Sequence, residues 1–220
     1  MLKSYQEVKL LKAVYSTVPE KLKNINVERR TYTSGTVIHI DGDKIDAVGF
    51  VLKGVLKAVN YTHTGTEQSN RYFYEGSTLP VYMVLSKVSH YCYNLVCHKD
   101  CVVEWMALED FYELVGSSVP VLKSLLTYVA RDGYESQLLL RCLHHHTIEG
   151  RLASYLLTCE LDKRDGWIYL PDTQKILAEK LHVSRTVLNQ ELIRFEKLGW
   201  ILREKQRIKV AMKEKLEELL

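Results

Sequence analysis

From about Val27 to Glu109 the apolar positions fall in short β-branched and aromatic runs broken by glycine. Thr36-Val37-Ile38-His39-Ile40 runs into Asp41-Gly42-Asp43. Val48-Gly49-Phe50-Val51-Leu52 runs into Lys53-Gly54, followed by Val55-Leu56-Lys57-Ala58-Val59. Glycine reaches positive φ without steric cost, so Asp-Gly and Lys-Gly at this spacing predict turns between short strands. Many short strands with regular turns predict a sandwich or a barrel-like roll. Residues 1–25 read as helical and are expected to pack on that roll.

The period changes near Val119. From Pro120 to His146 only Gly133 interrupts a helical pattern. Leu122, Leu126, Val129, Gly133, Ser136, Leu140 and Leu143 follow the alternating four- and three-residue spacing of a coiled-coil seam. Gly133 and Ser136 at mid-seam let two backbones approach closely at a cost in helix propensity. The stripe alone leaves two readings open: a helix packed on the roll, or a dimer helix.

Ile148 to Cys159 reads as an amphipathic helix, Asp165-Gly166 as a turn, and residues 174–192 as a helix-turn-helix. Ile176, Leu177 and Leu181 face inward from its first helix, with small Ala178 where two helices come close. Val183 fills the angle, and Ser184 is suited to cap a second helix. In that helix Val187, Leu188, Leu192 and Phe195 point inward, which turns Arg185, Thr186, Asn189, Gln190 and Arg194 outward. Such side chains hydrogen-bond base edges or phosphates, arginine suiting guanine and Asn or Gln suiting adenine. Any amphipathic helix pair has a polar outer face. The strand pair that follows, residues 199–203 and 207–210 around Glu204-Lys205-Gln206, adds a small β-wing. Residues 173–210 carry nine Lys and Arg against four Asp and Glu, a net +5 in a chain whose total is +3. Arg203, Lys205, Arg207 and Lys209 are thus placed to hold phosphates, and the two features together favour DNA binding.

Composition adds bounds. Hydrophobic content of 46% with 26% charged residues is ordinary for a soluble globular protein, and 220 residues suffice for two cores. No apolar stretch approaches bilayer-spanning length, and the start lacks the apolar core of a signal peptide, so a cytoplasmic protein without membrane partners is expected. Five scattered cysteines suit reduced thiols.

Order and spacing across nearly the whole chain resemble the cyclic AMP receptor/fumarate-nitrate regulator (CRP/FNR) superfamily of bacterial transcription regulators. The resemblance rests on Ser34-Gly35-Thr36-Val37-Ile38, Asp41-Gly42-Asp43, residues 50–57, Gly65 and Glu75-Gly76. In the C-terminal part it rests on Leu177-Ala178, Val183-Ser184-Arg185 and Leu198-Gly199-Trp200-Ile201. It implies an α+β chain: a cyclic-nucleotide-binding-like double-stranded β-roll over 1–118, a dimerisation helix over 119–146 and a winged helix-turn-helix over 147–220. It further implies a homodimer on double-stranded DNA, a palindromic operator with half-sites about 34 Å apart, RNA polymerase as a partner, and an activator more than a repressor. A non-enzyme is expected.

The departures narrow the effector. Relatives that bind cyclic nucleotides carry a Gly-Glu pair for the ribose and an Arg-Ser or Arg-Thr pair for the phosphate. Pro80-Val81 and Tyr91-Cys92 stand at those positions here, so cyclic AMP and cyclic GMP are not expected. Thr186, Asn189 and Gln190 replace the commonest recognition pattern, so the operator should differ, and His182 stands in place of the usual turn glycine. Cys92, Cys97 and Cys101 do not suggest an iron–sulfur cluster: no fourth cysteine is near, and the N-terminal cluster of iron–sulfur relatives is absent. Consecutive helical residues splay apart, so His144-His145-His146 reads as an exposed polar run, not a metal site. Tyr72, Phe73, Tyr74, Tyr82, Tyr91 and Tyr93 either line an effector pocket, with Tyr82, Tyr91 and Tyr93 as its candidate contacts, or form core. Two rivals remain: a small cupin-like metal-dependent enzyme, for which only His39-x-Asp41 offers ligands, and a regulator that binds DNA constitutively.

Overall fold

The computed structural model describes residues 25–65, 67–160, 166–170, 174–205 and 207–220. The helix expected at the start of the chain lies outside the described residues, as do Asp165, Thr173 and Gln206. The chain forms two compact units that divide inside its longest helix, between Arg131 and Asp132.

The first unit is built on two long strands. β3 (Ala47–Tyr61) and β6 (Asn94–Ala107) pair antiparallel from Ala47 opposite Ala107 to Val59 opposite Asn94. β1 (Val27–Tyr32) and β2 (Val37–His39) pair with β6, while β4 (Glu67–Tyr74) and β5 (Thr78–Leu79) pair with β3, all antiparallel. Inward residues of these strands, among them Phe50, Leu56, Phe73, Leu95, Val103 and Met106, are buried together. The short helix α1 (Val81–Leu85) and helix α2 (Leu108–Ser117) add Val81, Met83, Phe111 and Leu114 to the same core.

The turn expected at Lys53-Gly54 is not a turn. β3 runs straight through it, with Gly54 at φ +87° and the β3–β6 register shifting on either side. A left-handed residue opposite a looped-out partner makes a bulge, and the ladder resumes beyond it. The Asp41-Gly42 turn is present, with Gly42 at φ +90° and the Asp43 N–H donating to Ile40 O.

Helix α3 (Val119–Leu143) shows how its seam stands. Val121, Leu125 and Tyr128 are the residues buried against the roll. The Tyr128 hydroxyl accepts the Thr78 N–H at 3.0 Å and donates to Thr78 O at 2.9 Å. The stripe singled out in the sequence lies on a neighbouring face. Leu122, Leu126 and Leu140 are 39, 60 and 57% exposed in the single chain. Gly133 and Ser136 are exposed, Leu143 is half-buried, and Val129 is half-buried against the roll. α3 ends before the three histidines, of which His144 and His146 are exposed and His145 half-buried.

The second unit holds α4 (Ile148–Glu160), β7 (Trp167–Tyr169), α5 (Gln174–Lys180), α6 (Arg185–Lys197), β8 (Ile201–Glu204), β9 (Arg207–Val210) and α7 (Lys213–Glu217). The three strands form one antiparallel sheet in the order β7-β9-β8. Leu152, Leu156, Ile168, Leu181, Leu192 and Phe195 are part of its core. β7 and α7 escape a periodicity reading, since three or five residues are too few to display one.

In the roll, the His39 ring stacks on Tyr91 at 4.4 Å and meets the Trp105 ring edge-on at 5.3 Å. Burial pulls its pKa below the ordinary 6.5, against the nearby Asp43 carboxylate. The neutral ring is therefore the form that the fold favours, and its contribution is lost as pH falls below that unfolded value. Stability measured by chemical denaturation should drop between about pH 7.5 and about pH 5.5 more in the native chain than in His39→Gln.

Candidate nucleic-acid interface

The turn between α5 and α6 is closed by its own backbone. Val183 N–H donates to Ala178 O at 3.0 Å, and His182 N–H donates to Glu179 O at 3.1 Å. His182 takes φ +54°, the conformation a glycine would adopt there, and its side chain is exposed. Ser184, extended at φ −72° and ψ 149°, caps α6: its hydroxyl accepts the Val187 N–H at 3.2 Å. Ile176, Leu177, Leu181, Leu188, Leu192 and Phe195 are fully buried, and Val183 packs half-buried on that core. Val187, expected inward, is half-buried.

With that face anchored, α6 presents Arg185, Thr186 and Gln190 to solvent and Asn189 half-exposed beside them. Arg194 behaves differently. It pairs with Glu191 at 3.2 Å and with Glu149 of α4 at 3.3 Å, which braces α6 against its neighbour. Arg203 pairs with Glu196 at 3.3 Å. Arg207 donates from Nε to Glu204 at 3.1 Å and lies 4.3 Å over the Trp167 ring. Lys205 is exposed at the wing tip with φ +47°. Tyr169, Glu204, Lys205 and Arg207 line an open recess of about 540 Å³.

These pairings redistribute the charge. Glu179, Glu191, Glu196 and Glu204 lie beside Lys175, Arg194, Arg203 and Arg207 respectively. Arg185, Lys197, Lys205 and Lys209 are cations of this stretch outside those pairs. The pairings of Arg194 with Glu149 and of Arg203 with Glu196 are not legible in spacing alone, because the carboxylates come from other elements.

In the roll, Tyr91 and Tyr93 are buried, their rings meeting edge-on at 5.7 Å, and burial raises both phenol pKa values. Tyr82, on α1, is half-buried with the Arg71 guanidinium 5.3 Å from its ring centroid. Arg71, on β4, also lies 5.2 Å from the Phe73 ring, a cation the sequence reading did not single out. Pro80-Val81 opens α1 with Val81 buried. Among the described residues, no three His, Cys, Asp or Glu side chains converge as a metal-ligand group. Cys92 is exposed, whereas Cys97 and Cys101 are buried with their sulfurs 3.3 Å apart. The sequence reading did not foresee that contact, which an extended strand forbids.

Residues 150–219 match the family model of the Crp-like helix-turn-helix domain. No curated protein matches the chain in sequence. Solved structures similar to it are CprK in complex with OCPA, FixK2 of Bradyrhizobium japonicum and a CRP/FNR-family regulator of Thermus thermophilus. CprK has a TM-score of 0.70 at 16% identity, over 92% of this chain and 93% of its own. FixK2 has 0.65 at 16%, over 89% and 98%. The Thermus protein has 0.57 at 18%, over 87% and 97%. The resemblance read from the glycine turns and the capped second helix is thereby borne out: the chain carries a Crp-like helix-turn-helix domain and has the fold of the CRP/FNR transcription regulators.

Proposed function

We propose that this chain is a homodimeric, sequence-specific DNA-binding transcription regulator whose roll answers to a small effector other than a cyclic nucleotide. The observation that carries this reading is the outer face of α6. Arg185, Thr186, Asn189 and Gln190 stand outward on a helix fixed by the Ser184 cap and three fully buried apolar residues. A rigid element bearing bidentate donors and acceptors is what reading of major-groove base edges requires. Arg185 is the principal base reader and Lys205 a phosphate contact. Arg203 and Arg207 hold the wing in shape through Glu196 and Glu204, and Arg194 braces α6, so all three meet DNA secondarily.

Dimerisation follows from α3. Leu122, Leu126 and Leu140 lie exposed in the single chain at coiled-coil spacing, while other residues of α3 pack on the roll. A second copy covers this seam, and its twofold axis demands a palindromic operator. RNA polymerase is the further partner of such a regulator. The exclusion of cyclic nucleotides rests on Pro80-Val81, which offers the sugar no carboxylate. Arg71 lies above the ring of Tyr82, one of the candidate contacts Tyr82, Tyr91 and Tyr93, and it suits an effector with an aromatic or anionic group.

Selection from a random DNA library with purified protein should enrich a palindrome with half-sites about 34 Å apart. No enrichment with or without a small-molecule cell extract overturns DNA reading by α6. Arg185→Ala should cost about 1–3 kcal/mol on the selected operator and less on random DNA. Lys205→Ala should weaken both alike and lower the salt slope by about 1, both variants measured by fluorescence anisotropy over a salt series. Gly133→Leu separates the seam from the fold. A Cβ at Gly133 meets nothing within 4 Å in the single chain, and the change gains helix propensity. Sedimentation should nonetheless show a weakened or altered dimer. Unchanged association and unchanged DNA affinity together remove the seam from the interface.

A further inference from the structure

β6 contains two cysteines four residues apart, and in an extended strand positions so spaced lie about 13 Å apart. Here the Cys97 and Cys101 sulfurs are 3.3 Å apart. The strand achieves this through an irregular, bulged stretch at residues 98–100, in which Lys99 still faces Val55. Opposite β3, Lys53 faces Val102, Val55 faces Lys99 and Leu56 faces Cys97, so β6 spends extra residues over this stretch.

The bulged stretch is fixed on both flanks. Ser34 donates its N–H to Asp100 Oδ1 at 2.7 Å and its hydroxyl to His98 O at 2.9 Å. On the other side Gly54 adopts φ +87°, and a Cβ there would lie 2.7 Å from Cys101 Cβ. The two thiols are each 1% exposed, directly beneath the exposed Lys99 and Asp100.

We propose that Cys97 and Cys101 form a redox-active dithiol within the roll, converted by hydrogen peroxide to an intrachain disulfide. The Cys97 sulfur attacks one peroxide oxygen and the O–O bond breaks. The departing oxygen takes the Cys97 thiol proton and leaves as water, and Cys97 becomes a sulfenic acid. The Cys101 sulfur then attacks the Cys97 sulfur, the S–O bond breaks, and its hydroxyl leaves as water with the Cys101 proton. Two thiols and one peroxide thus yield one disulfide and two waters, sulfur being oxidised and peroxide oxygen reduced. Desolvation first, and the Cys97 contact second, push the Cys101 thiol up to about 12. A thiol held protonated is a poor first nucleophile toward peroxide, so the first attack is assigned to Cys97. The sulfurs need to close by only about 1.2 Å to reach bonding distance, a shift within the reach of side-chain rotation. This assignment is independent of the DNA-binding reading, since every group involved lies in the roll.

Trypsin cuts after Lys99, between the two cysteines, which gives a direct test on the native full-length chain. Protein treated with hydrogen peroxide is alkylated while unfolded, digested without reductant and analysed by mass spectrometry. The expected product is peptide 88–99, which carries both Cys92 and Cys97, joined to the Cys101 peptide, lighter by two hydrogens, with fragmentation placing the bond on Cys97 and not on Cys92, and separated again by dithiothreitol. Separate alkylation of both peptides, once exposed Cys92 has been fully oxidised, overturns the proposal. So does a sulfinic acid on either residue, or pairing of either with Cys92. In Cys97→Ser the joined species should vanish and Cys101 should alkylate fully; Cys101→Ala supplies the reciprocal test.

Discussion

The antiparallel ladder between β3 and β6 is the constraint on which the first unit depends. These strands are 15 and 14 residues long, and every other strand of the roll hangs on one of them. Strands this long would pair as a strongly twisted two-stranded ribbon if their register were continuous. The bulge at Gly54 and the register shifts around Lys99 break that register at one level, so the ribbon bends and its ends can belong to different parts of the roll. Val103 and Met106 beyond the bend, and Leu95 before it, then reach one core. β6 leads directly into α2, so the ladder also fixes where the helical part of the chain departs.

A second principle governs the C-terminal unit: its cations are divided between structure and display. The carboxylates of Glu179, Glu191, Glu196 and Glu204 each meet a basic partner from the same stretch. Such exposed pairs contribute little stability individually, typically well under about 1 kcal/mol. Their larger effect is on geometry. A guanidinium held by a carboxylate is unavailable for a second bidentate contact, so the wing arginines keep the sheet edge in shape. The first turns of α6 then carry the display side chains on a helix end capped by Ser184, where the helix dipole is positive.

Much of this was legible in the sequence, for identifiable reasons. The helix-turn-helix stood out because its apolar positions recur over many residues and its cap is a serine in the expected place. The stripe on α3 stood out for the same reason of length. Three kinds of feature did not. Lys53-Gly54 read as a turn, because glycine signals a left-handed residue without saying whether the partner strand bulges to match. β7 and α7 were too short for a period. The pairing of Arg194 with Glu149 depends on which segments meet in space, and the approach of Cys97 to Cys101 on a local register shift within β6; neither propensity nor spacing encodes these. Tyr91 and Tyr93, which spacing left open between pocket and core, are buried and touch one another.

The hydroxyl of Tyr128 carries a consequence of its own. It uses its single proton on Thr78 O and a lone pair on the Thr78 N–H, in a place closed to water. Neither partner can be released while the other stays satisfied, because one small pivoting group serves both. Displacement of β5 would strand two backbone groups at once, at a cost of the order of a few kcal/mol until water or a new partner arrives. The grip of α3 on the roll at this point therefore rests on one hydroxyl serving two backbone groups of the same residue.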